Sequence, residues 1–411
     1  MRGYEDPDDR ALERSIEEIW SVATGLGLRL ALAWFWNGSY DVYTLVRFAG
    51  IFQHDGLWAL YADGGRVYHF HPVVVVLYAV VLYLFSGLAG LPLQLAVKLP
   101  AIAGDLLSAG ALRAARPSDG RPFLLFWWNP VSLLTTCYHG NFDSLHTSLV
   151  LCAALLLARE TSERGAGLAW AGAIVLKKVP ALWAPALLAS ARGWRSRSRL
   201  ILWGVLPAGA AFLPALVLAP EPRNVLRAFT YSAGGYEGSW GIIAFARLVS
   251  PASSALRRYD AAAPAAILAV SLLLVPLFRR MPPWRAVLLQ VLFFYLFATG
   301  FGLQSLAWGL PFLALAGPRL ALPLSAAATL HLSLAYVQGA SKAVLHGLRF
   351  PGNVWNDVHA AVLPRVATVA TSEGWDRLLL GTAAVLWLAI LGTTIAAARP
   401  EPEEDPLSGR A

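Results

Sequence analysis

Long runs without a charged residue limit most strongly what this 411-residue chain can fold into. Seven windows lack Asp, Glu, Lys and Arg altogether: 71–97, 122–142, 200–220, 261–278, 286–318, 320–341 and 378–398. A helix needs about 20 apolar residues to cross a bilayer core about 30 Å thick. With the further apolar stretches 19–40, 144–158 and the pieces of 165–191, the windows predict an all-α, polytopic membrane bundle of about ten to thirteen transmembrane helices.

The two ends of the chain are polar, unlike the sequence between them. Residues 1–18 carry charges of both signs, and the apolar segment that follows is too long for the core of a cleavable signal peptide. The last residues, PEPEEDPLSGRA, are acidic and lack apolar periodicity. We predict a cytoplasmic N-terminal segment at 1–18, a transmembrane domain at 19–398 and a disordered acidic cytoplasmic tail at 399–411.

Arginine clusters predict how the chain is oriented in the membrane. Three short loops hold these clusters and are predicted to be cytoplasmic, because basic residues prefer that side: 113–121, 192–199 and 279–285. The opposite side then holds 37–70, 137–143, 220–258, 300–305 and 339–375. The net charge of +8 therefore indicates orientation and not nucleic-acid binding. One region stays open, because 71–121 shows two apolar segments where an odd number of crossings is needed.

Polar side chains interrupt the apolar sequence mainly on the predicted external side. The densest interruption is TTCYHGNFDSLHTS at 135–148, and two lysines interrupt the apolar segment 165–191 in LKKVP. Ionisable groups at membrane depth are costly and are usually functional. Several such groups at one side of the membrane indicate a single cavity.

The order of seven motifs resembles the GT-C superfamily of polyprenyl-phosphate-sugar-dependent glycosyltransferases. The motifs are GSYDVYTLVR, YHFHP, VKLPAIAGDLL, WNPVSLLTTCYHGNFDSL, VLKKVPALWAP, YSAGGYEGSWGI and GLQSLAWGLPF, and they extend over most of the chain. Within them, HGNFDSL is similar to the HGHFQYN-type motif of dolichyl-phosphate-glucose-dependent glucosyltransferases. It differs from that motif at Asn141 and Asp143.

The resemblance implies a helical bundle whose external first loop, with membrane-lying helices, faces a groove open to lipid. It also implies a donor sugar on a polyprenyl monophosphate, either a hexose such as mannose or glucose or a pentose. The acceptor would be a glycolipid or a cell-envelope glycan on the extracytoplasmic side of the cell membrane, and no nucleic acid is involved. No cofactor is implied, although two carboxylates sharing a divalent metal ion are an alternative.

Two aspartates are the candidate catalytic residues. Transfer from a sugar phosphate to a hydroxyl needs a carboxylate that takes the acceptor proton and cations that stabilise the departing phosphate. Asp41 follows the first apolar segment and corresponds to the first-loop catalytic aspartate of the family; its alternative role is a helix cap or a solvated loop acid. Asp143 is the candidate second carboxylate, or simply a favourable charge at a helix N-terminus.

Neighbours of Asp143 are candidates for substrate binding. Gly140 and Asn141 favour a tight turn before a new helix, and Asn141 is taken as a substrate-binding residue. His139 would orient the acceptor or the donor phosphate, or else bond only to backbone. His146 lies one helical turn beyond Asp143, a spacing typical of a structural partner.

Basic residues are the candidates for binding the donor phosphate. Lys177 and Lys178 are two of only four lysines and precede the helix-breaking Pro180. Such a lysine binds phosphate as a point charge, or alternatively extends to the lipid headgroups. Arg47 would contact the same phosphate or orient the first loop.

The remaining candidate substrate-binding residues lie in other motifs. They are His71 in YHFHP, Tyr231 and Tyr236 in the glycine-rich external segment, and Gln304 in GLQSLAWGLPF. The tyrosines, like Trp240, would stack on a sugar or belong to an interfacial aromatic belt. Gln304 would lie near the donor or satisfy a helix end.

Two other classes of function fit a polytopic chain with buried charges. A secondary transporter or lipid-linked-sugar flippase would show repeat-related halves with matching interrupted helices. The sequence shows one such interruption, at LKKVP, and no internal repeat. A non-catalytic membrane subunit is the third possibility, against which the presence of both Asp41 and Asp143 argues.

Overall fold

The computed structural model describes residues 7–62, 72–230, 240–241, 254–300, 302–345, 353, 355–370 and 372–399. Every regular element within these ranges is a helix, which confirms the predicted all-α class for the described part of the chain. Four helices are long and apolar enough to cross a membrane by themselves: Leu93–Ala115, Gly193–Leu218, Pro318–Gly339 and Glu373–Ala398. The chain is thus a multi-pass membrane protein.

The first half of the chain contains thirteen described α-helices. They are α1 (Pro7–Phe35), α2 (Tyr40–Asp55), α3 (Ala59–Ala62), α4 (Pro72–Val81), α5 (Leu93–Ala96), α6 (Leu99–Ala115), α7 (Arg121–Trp127), α8 (Pro130–Leu133), α9 (Asp143–Ala158), α10 (Glu163–Leu176), α11 (Ala184–Ser190), α12 (Gly193–Leu218) and α13 (Pro222–Thr230). Two π-helical segments, Leu82–Leu88 and Leu134–His139, continue α4 and α8.

The second half contributes seven more described α-helices. They are α14 (Ser254–Leu273), α15 (Val275–Phe278), α16 (Pro283–Phe297), α17 (Leu310–Ala316), α18 (Pro318–Leu345), α19 (Asn356–Ala370) and α20 (Glu373–Ala398). Two 3₁₀ segments, Val179–Trp183 and Leu303–Gly309, precede α11 and α17.

Helix lengths bear on the predicted number of membrane spans. Besides the four long helices, the parts Ile16–Phe35 and Tyr40–Asp55 meet the length and hydropathy test together, but they are bent by 77° at the break between them. Six apolar helices are shorter, with 10–17 residues each. The count of ten to thirteen spans therefore stays a prediction, because four or five of the described elements satisfy the length requirement.

Two apolar windows are interrupted near their polar residues. α10 ends at Leu176, and the extended backbone of Lys177 (φ −153°, ψ 138°) separates it from the 3₁₀ segment Val179–Trp183. The predicted break at LKKVP is therefore confirmed. The window 286–318 is broken as well, because α16 ends at Phe297 and Leu303 begins the next helical turn.

The ends of the predicted transmembrane domain are only partly described. α1 is already helical from Pro7, so part of the segment predicted to precede the first span is continuous with it. Residues 400–411 of the predicted acidic tail lie outside the described residues.

A buried ion pair connects the N-terminal elements. Arg29 on α1 donates from Nε to Asp105 Oδ2 on α6 at 2.9 Å, and both side chains are almost completely buried. The guanidinium also donates to the Trp127 carbonyl at 2.8 Å and to the Ser132 hydroxyl at 3.1 Å. Ser132 in turn donates to Asp105 at 2.7 Å. α1, α6 and the α7–α8 region are thereby held in one arrangement.

The backbones of α6 and α9 are in close contact at Gly104. A Cβ atom at Gly104 of α6 would lie 2.4 Å from the backbone nitrogen of Leu145, so only glycine allows this contact. Small residues generally permit such close packing of membrane helices. The first turn of α9, which contains Asp143, is therefore packed directly on α6.

The predicted orientation can be tested at Tyr40, whose side chain is 64% exposed at the start of α2. In a chain whose two cysteines, Cys137 and Cys152, are replaced by alanine, Tyr40→Cys should react with a membrane-impermeant maleimide applied outside intact cells. Trp194→Cys is the matched control, because Trp194 is 74% exposed in a predicted cytoplasmic loop. It should react only after permeabilisation, and the reverse pattern would contradict the predicted topology.

Candidate active site

Asp41 lies immediately after a corner in the chain, where α2 leaves α1 at 77°. Ser39 caps α2: its hydroxyl accepts from the Asp41 backbone N–H at 3.2 Å and donates to the His139 carbonyl at 2.9 Å. Such a cap satisfies an N–H group that has no helical partner. The alternative in which Asp41 itself caps the helix is wrong, because Ser39 is the cap.

The loop after the π-helical segment Leu134–His139 reverses direction at Gly140. Gly140 has a left-handed backbone with φ +74°, and a Cβ atom there would lie only 2.5 Å from Val42 Cγ2. Glycine is the residue that accepts both conditions without strain. The reversal places His139 and Asn141 next to α2.

Asp41 receives hydrogen bonds from residues that are distant in sequence. Asn141 Nδ2 donates to Asp41 Oδ2 at 2.8 Å, and His139 Nε2 lies 3.0 Å from the same oxygen. Gln304 Nε2, from the 3₁₀ segment Leu303–Gly309, is 3.4 Å away. All side-chain contacts that the described residues make to Asp41 fall on Oδ2, and the side chain is 34% exposed. Oδ1 has no side-chain partner in this part of the chain.

Asp143 forms a second, much more enclosed cluster. Its side chain is 2% exposed, and Oδ1 accepts from His146 Nε2 at 2.9 Å and from Lys177 Nζ at 2.5 Å. The His146 contact agrees with the predicted one-turn spacing. Lys177 reaches Asp143 because the chain leaves the helical conformation at this residue. Asp143 therefore lies in an ion pair and is not merely a charge at a helix N-terminus.

The two carboxylates belong to one site. Asn141, which donates to Asp41, lies two residues before Asp143, and Gln304, which also reaches Asp41, belongs to the same 3₁₀ segment as Trp308. Trp308, one turn after Gln304 in the same 3₁₀ segment, has its ring centre 5.4 Å from Lys177 Nζ. The interrupted helices α10 and α16 thus both contribute to the site.

Several polar atoms in this site are buried without a hydrogen-bond partner among the described residues. They are Asn141 Oδ1, Asp143 Oδ2, His146 Nδ1, Gln304 Oε1 and Trp308 Nε1. Each such atom costs about 1–3 kcal/mol when left unpaired. Their concentration at one place is typical of a site that binds a polar ligand.

The other two predicted basic candidates are Lys178 and Arg47. Lys178 follows Lys177 and is half-buried. Arg47 is exposed on α2, six residues after Asp41, and this spacing places the two residues on different faces of the helix. The structure brings Lys177 into contact with Asp143 Oδ1.

Three predicted substrate-binding residues, His71, Tyr231 and Tyr236, lie outside the described residues. Trp240 is described, and its indole donates to the Tyr295 carbonyl at 3.0 Å in the protein interior. The alternative of an interfacial belt is therefore wrong for Trp240, which is 3% exposed.

Lys98 and an asparagine cluster were missed by the sequence reasoning. Lys98 is fully buried and donates to the Trp36 carbonyl at the end of α1. Its motif, VKLPAIAGDLL, was noted only as one of the seven motifs that resemble the GT-C superfamily. Asn37 contacts Asn353 and Asn356, more than 300 residues away. A charged residue inside an apolar segment was a signal for Lys98; nothing in the sequence pairs Asn37 with its partners.

Metal binding would change the Asp143 cluster. The described residues contain no group of three or more His, Cys, Asp or Glu side chains that could hold an ion. Asp143 Oδ1 is already bound to Lys177 and His146. A cation at this oxygen would have to displace Lys177.

Comparison with solved structures found proteins of similar fold, among them ArnT. No protein-family model matches the chain, and no curated protein matches it by sequence. A crystal structure of ArnT from Cupriavidus metallidurans bound to undecaprenyl phosphate is 19% identical, with a TM-score of 0.48, over 92% of this chain and 76% of ArnT. The apo ArnT structure is 17% identical, with a TM-score of 0.49, over 94% and 77%.

The Asp143–Lys177 pair predicts unequal effects of two adjacent lysines on stability. Lys177→Met leaves a buried carboxylate without its cation, which should cost about 3 kcal/mol, the low end for breaking a buried pair, because Lys177 is 24% exposed. Lys178→Met is the matched control and should change the melting temperature in detergent much less. Adding Asp143→Asn to Lys177→Met should restore part of the lost stability. Equal melting temperatures for Lys177→Met and Lys178→Met would show that the ion pair does not stabilise the fold.

Proposed function

We propose that this protein is a membrane-embedded glycosyltransferase that transfers a sugar from a polyprenyl monophosphate to a hydroxyl group. The observation that supports it best is the pairing of a hydrogen-bonded, partly exposed carboxylate, Asp41, with an enclosed Asp143–Lys177 ion pair in one site. The order of the seven motifs, which resembles that of GT-C enzymes, supports the same reaction. The proposed sugar is a hexose such as mannose or glucose, or a pentose.

Asp41 acts as the general base in this proposal. The acceptor hydroxyl oxygen attacks the anomeric carbon, its proton passes to Asp41 Oδ1, and the bond between the anomeric carbon and the phosphate oxygen breaks. The electron pair of that bond leaves with the polyprenyl phosphate, so the products are a glycoside and the lipid monophosphate. His139 and Asn141 hold the other carboxylate oxygen, and Oδ1 therefore keeps a defined direction.

Lys177 stabilises the departing phosphate. Its ammonium group contacts Asp143 and has three donors, of which that contact needs only one. The proposed role of Asp143 is to orient Lys177 and to bind the sugar. Asn141, Gln304 and Trp308 present further unpaired polar atoms to the sugar hydroxyls.

The proposed acceptor is a glycolipid or cell-envelope glycan on the extracytoplasmic face of the cell membrane. This side of the membrane is the one predicted for the first loop from the arginine clusters. The corner that carries Asp41 lies in that loop, where an acceptor from outside reaches it.

A panel of donors tests the function directly. Purified protein is incubated with undecaprenyl-phosphate-linked hexoses and pentoses and a lipid extract of a bacterial envelope, and the consumption of each donor is measured. Transfer should consume one donor and release undecaprenyl phosphate. A flippase in proteoliposomes would instead move the donor across the membrane intact, and this outcome would replace the glycosyltransferase proposal.

Replacement of the base should abolish most turnover. Asp41→Asn keeps the size and hydrogen bonds of the side chain but cannot take the proton, and general-base catalysis typically contributes about 10²- to 10⁴-fold. Donor consumption should fall by this factor while donor binding is retained. Asp119→Asn is the matched control, since Asp119 pairs with Arg121 in a predicted cytoplasmic loop. Normal turnover by Asp41→Asn would assign the base elsewhere.

Donor binding tests the phosphate site separately from chemistry. Lys177→Met removes a charged hydrogen bond worth about 1.5–3 kcal/mol, so the affinity for a non-hydrolysable polyprenyl phosphonate sugar should fall about tenfold to a hundredfold. Binding is measured on the folded, monodisperse fraction, because the substitution also lowers stability. Lys178→Met and Arg47→Met are measured in parallel, and a loss in either of these instead would move the phosphate site to that residue.

A further inference from the structure

Lys98 is a basic residue buried within an apolar segment, where burial of its charge costs free energy. It precedes α6, its side chain has no exposed surface, and it lies within the candidate span Leu93–Ala115. Its Nζ atom donates to the Trp36 carbonyl at 2.6 Å and to the Ala33 carbonyl at 3.1 Å. The last carbonyl groups of a helix have no partner within that helix. Lys98 supplies a hydrogen-bond donor for carbonyl groups at the end of α1.

The stem of Lys98 also packs against the loop that supplies the partners of Asp41. A Cβ atom at Gly140 would lie 2.9 Å from Lys98 Cγ and 3.2 Å from its Cε. The same position is 2.5 Å from Val42, the residue after Asp41. Lys98 therefore fills the space between the α1–α2 corner and the His139–Asn141 loop.

The outer side of the corner is held by different residues. Asn37 contacts Asn353, and its amide donates to Asn356 Oδ1 at 3.0 Å. The Trp36 ring stacks on His359 of α19, with ring centres 5.3 Å apart and planes nearly parallel. Because these contacts do not involve Lys98, the corner retains an attachment when Lys98 is replaced. Loss of Lys98 should move the corner without unfolding it.

We propose that Lys98 is a positioning residue for the transfer reaction, acting through Asp41. It holds the carbonyls at the end of α1, sets the angle of the corner, and so keeps the Asp41 carboxylate in register with His139 and Asn141. This inference rests on the proposed role of Asp41 as the base. A displacement of about 1 Å at a reacting group can cost about 100-fold in rate.

The first measurement reports the corner itself and needs no substrate. Nitroxide labels are placed at Ile19→Cys on α1 and His54→Cys near the end of α2, both exposed, with Cys137 and Cys152 replaced by alanine. Lys98→Met should displace or broaden the distance distribution between the labels. A distribution identical to that of the parent would overturn the proposal.

The second measurement is a double-mutant cycle on turnover of the panel donor. Lys98→Met alone should lower kcat by about tenfold to a hundredfold with little change in the donor KM. In the Asp41→Asn background the same substitution should have almost no further effect, because a residue that acts only through Asp41 has nothing left to position. A merely structural role would give an additive loss in both backgrounds, which would overturn the proposal.

Gln94→Met is the matched control. Gln94 is also buried and donates to the Trp34 carbonyl of α1 at 3.3 Å, but it does not bind Trp36 or pack on Gly140. Its substitution should lower the melting temperature without the change in kcat. Lys98→Gln, which keeps one donor group, provides a second test if Lys98→Met does not fold. Normal turnover by Asp41→Asn would refute the base, whereas an additive cycle refutes only the role of Lys98.

Discussion

The buried contact between Arg29 and Asp105 is the interaction on which the arrangement of the site depends. Removing one partner from such a pair typically costs about 3–5 kcal/mol, because the other charge stays buried. Arg29 also binds the Trp127 carbonyl and the Ser132 hydroxyl, so it fixes α1 against α6 and against α7 and α8, which lead into the π-helical segment. The corner of Asp41 follows α1, and the His139 loop follows that segment. Their relative positions therefore depend on this contact.

Charge is divided unequally between the two carboxylates of the site. Asp143 is enclosed and neutralised by Lys177, whereas Asp41 is 34% exposed and is held by His139 and by the neutral amides of Asn141 and Gln304. In the proposed reaction, this difference separates the base that receives a proton from the acid that orients a cation. Both helix interruptions, at Lys177 and before Gln304, lead to the same site. Lys177 contacts Asp143 there, and Gln304 contacts Asp41.

Much of the architecture and part of the site could be predicted from the sequence. The apolar windows predicted the helices, and Pro180 after two lysines predicted the break that lets Lys177 turn toward Asp143. The one-turn spacing of Asp143 and His146 predicted their contact. These predictions succeed because they depend on residues that are close in the chain, where helix geometry and proline sterics decide the outcome.

Pairings between distant segments were decided only by the tertiary structure. No local pattern could show that Gln304 contacts Asp41, that Asn37 contacts Asn356, or that the stem of Lys98 packs against Gly140. Such contacts depend on how helices pack and where a glycine lets two backbones approach, which is a property of the whole bundle. The sequence by itself determined that the chain is a helical membrane protein and which polar residues it places there. Packing alone determined which of those residues share a site, because hydrogen bonds between segments form only after the helices have set their distances.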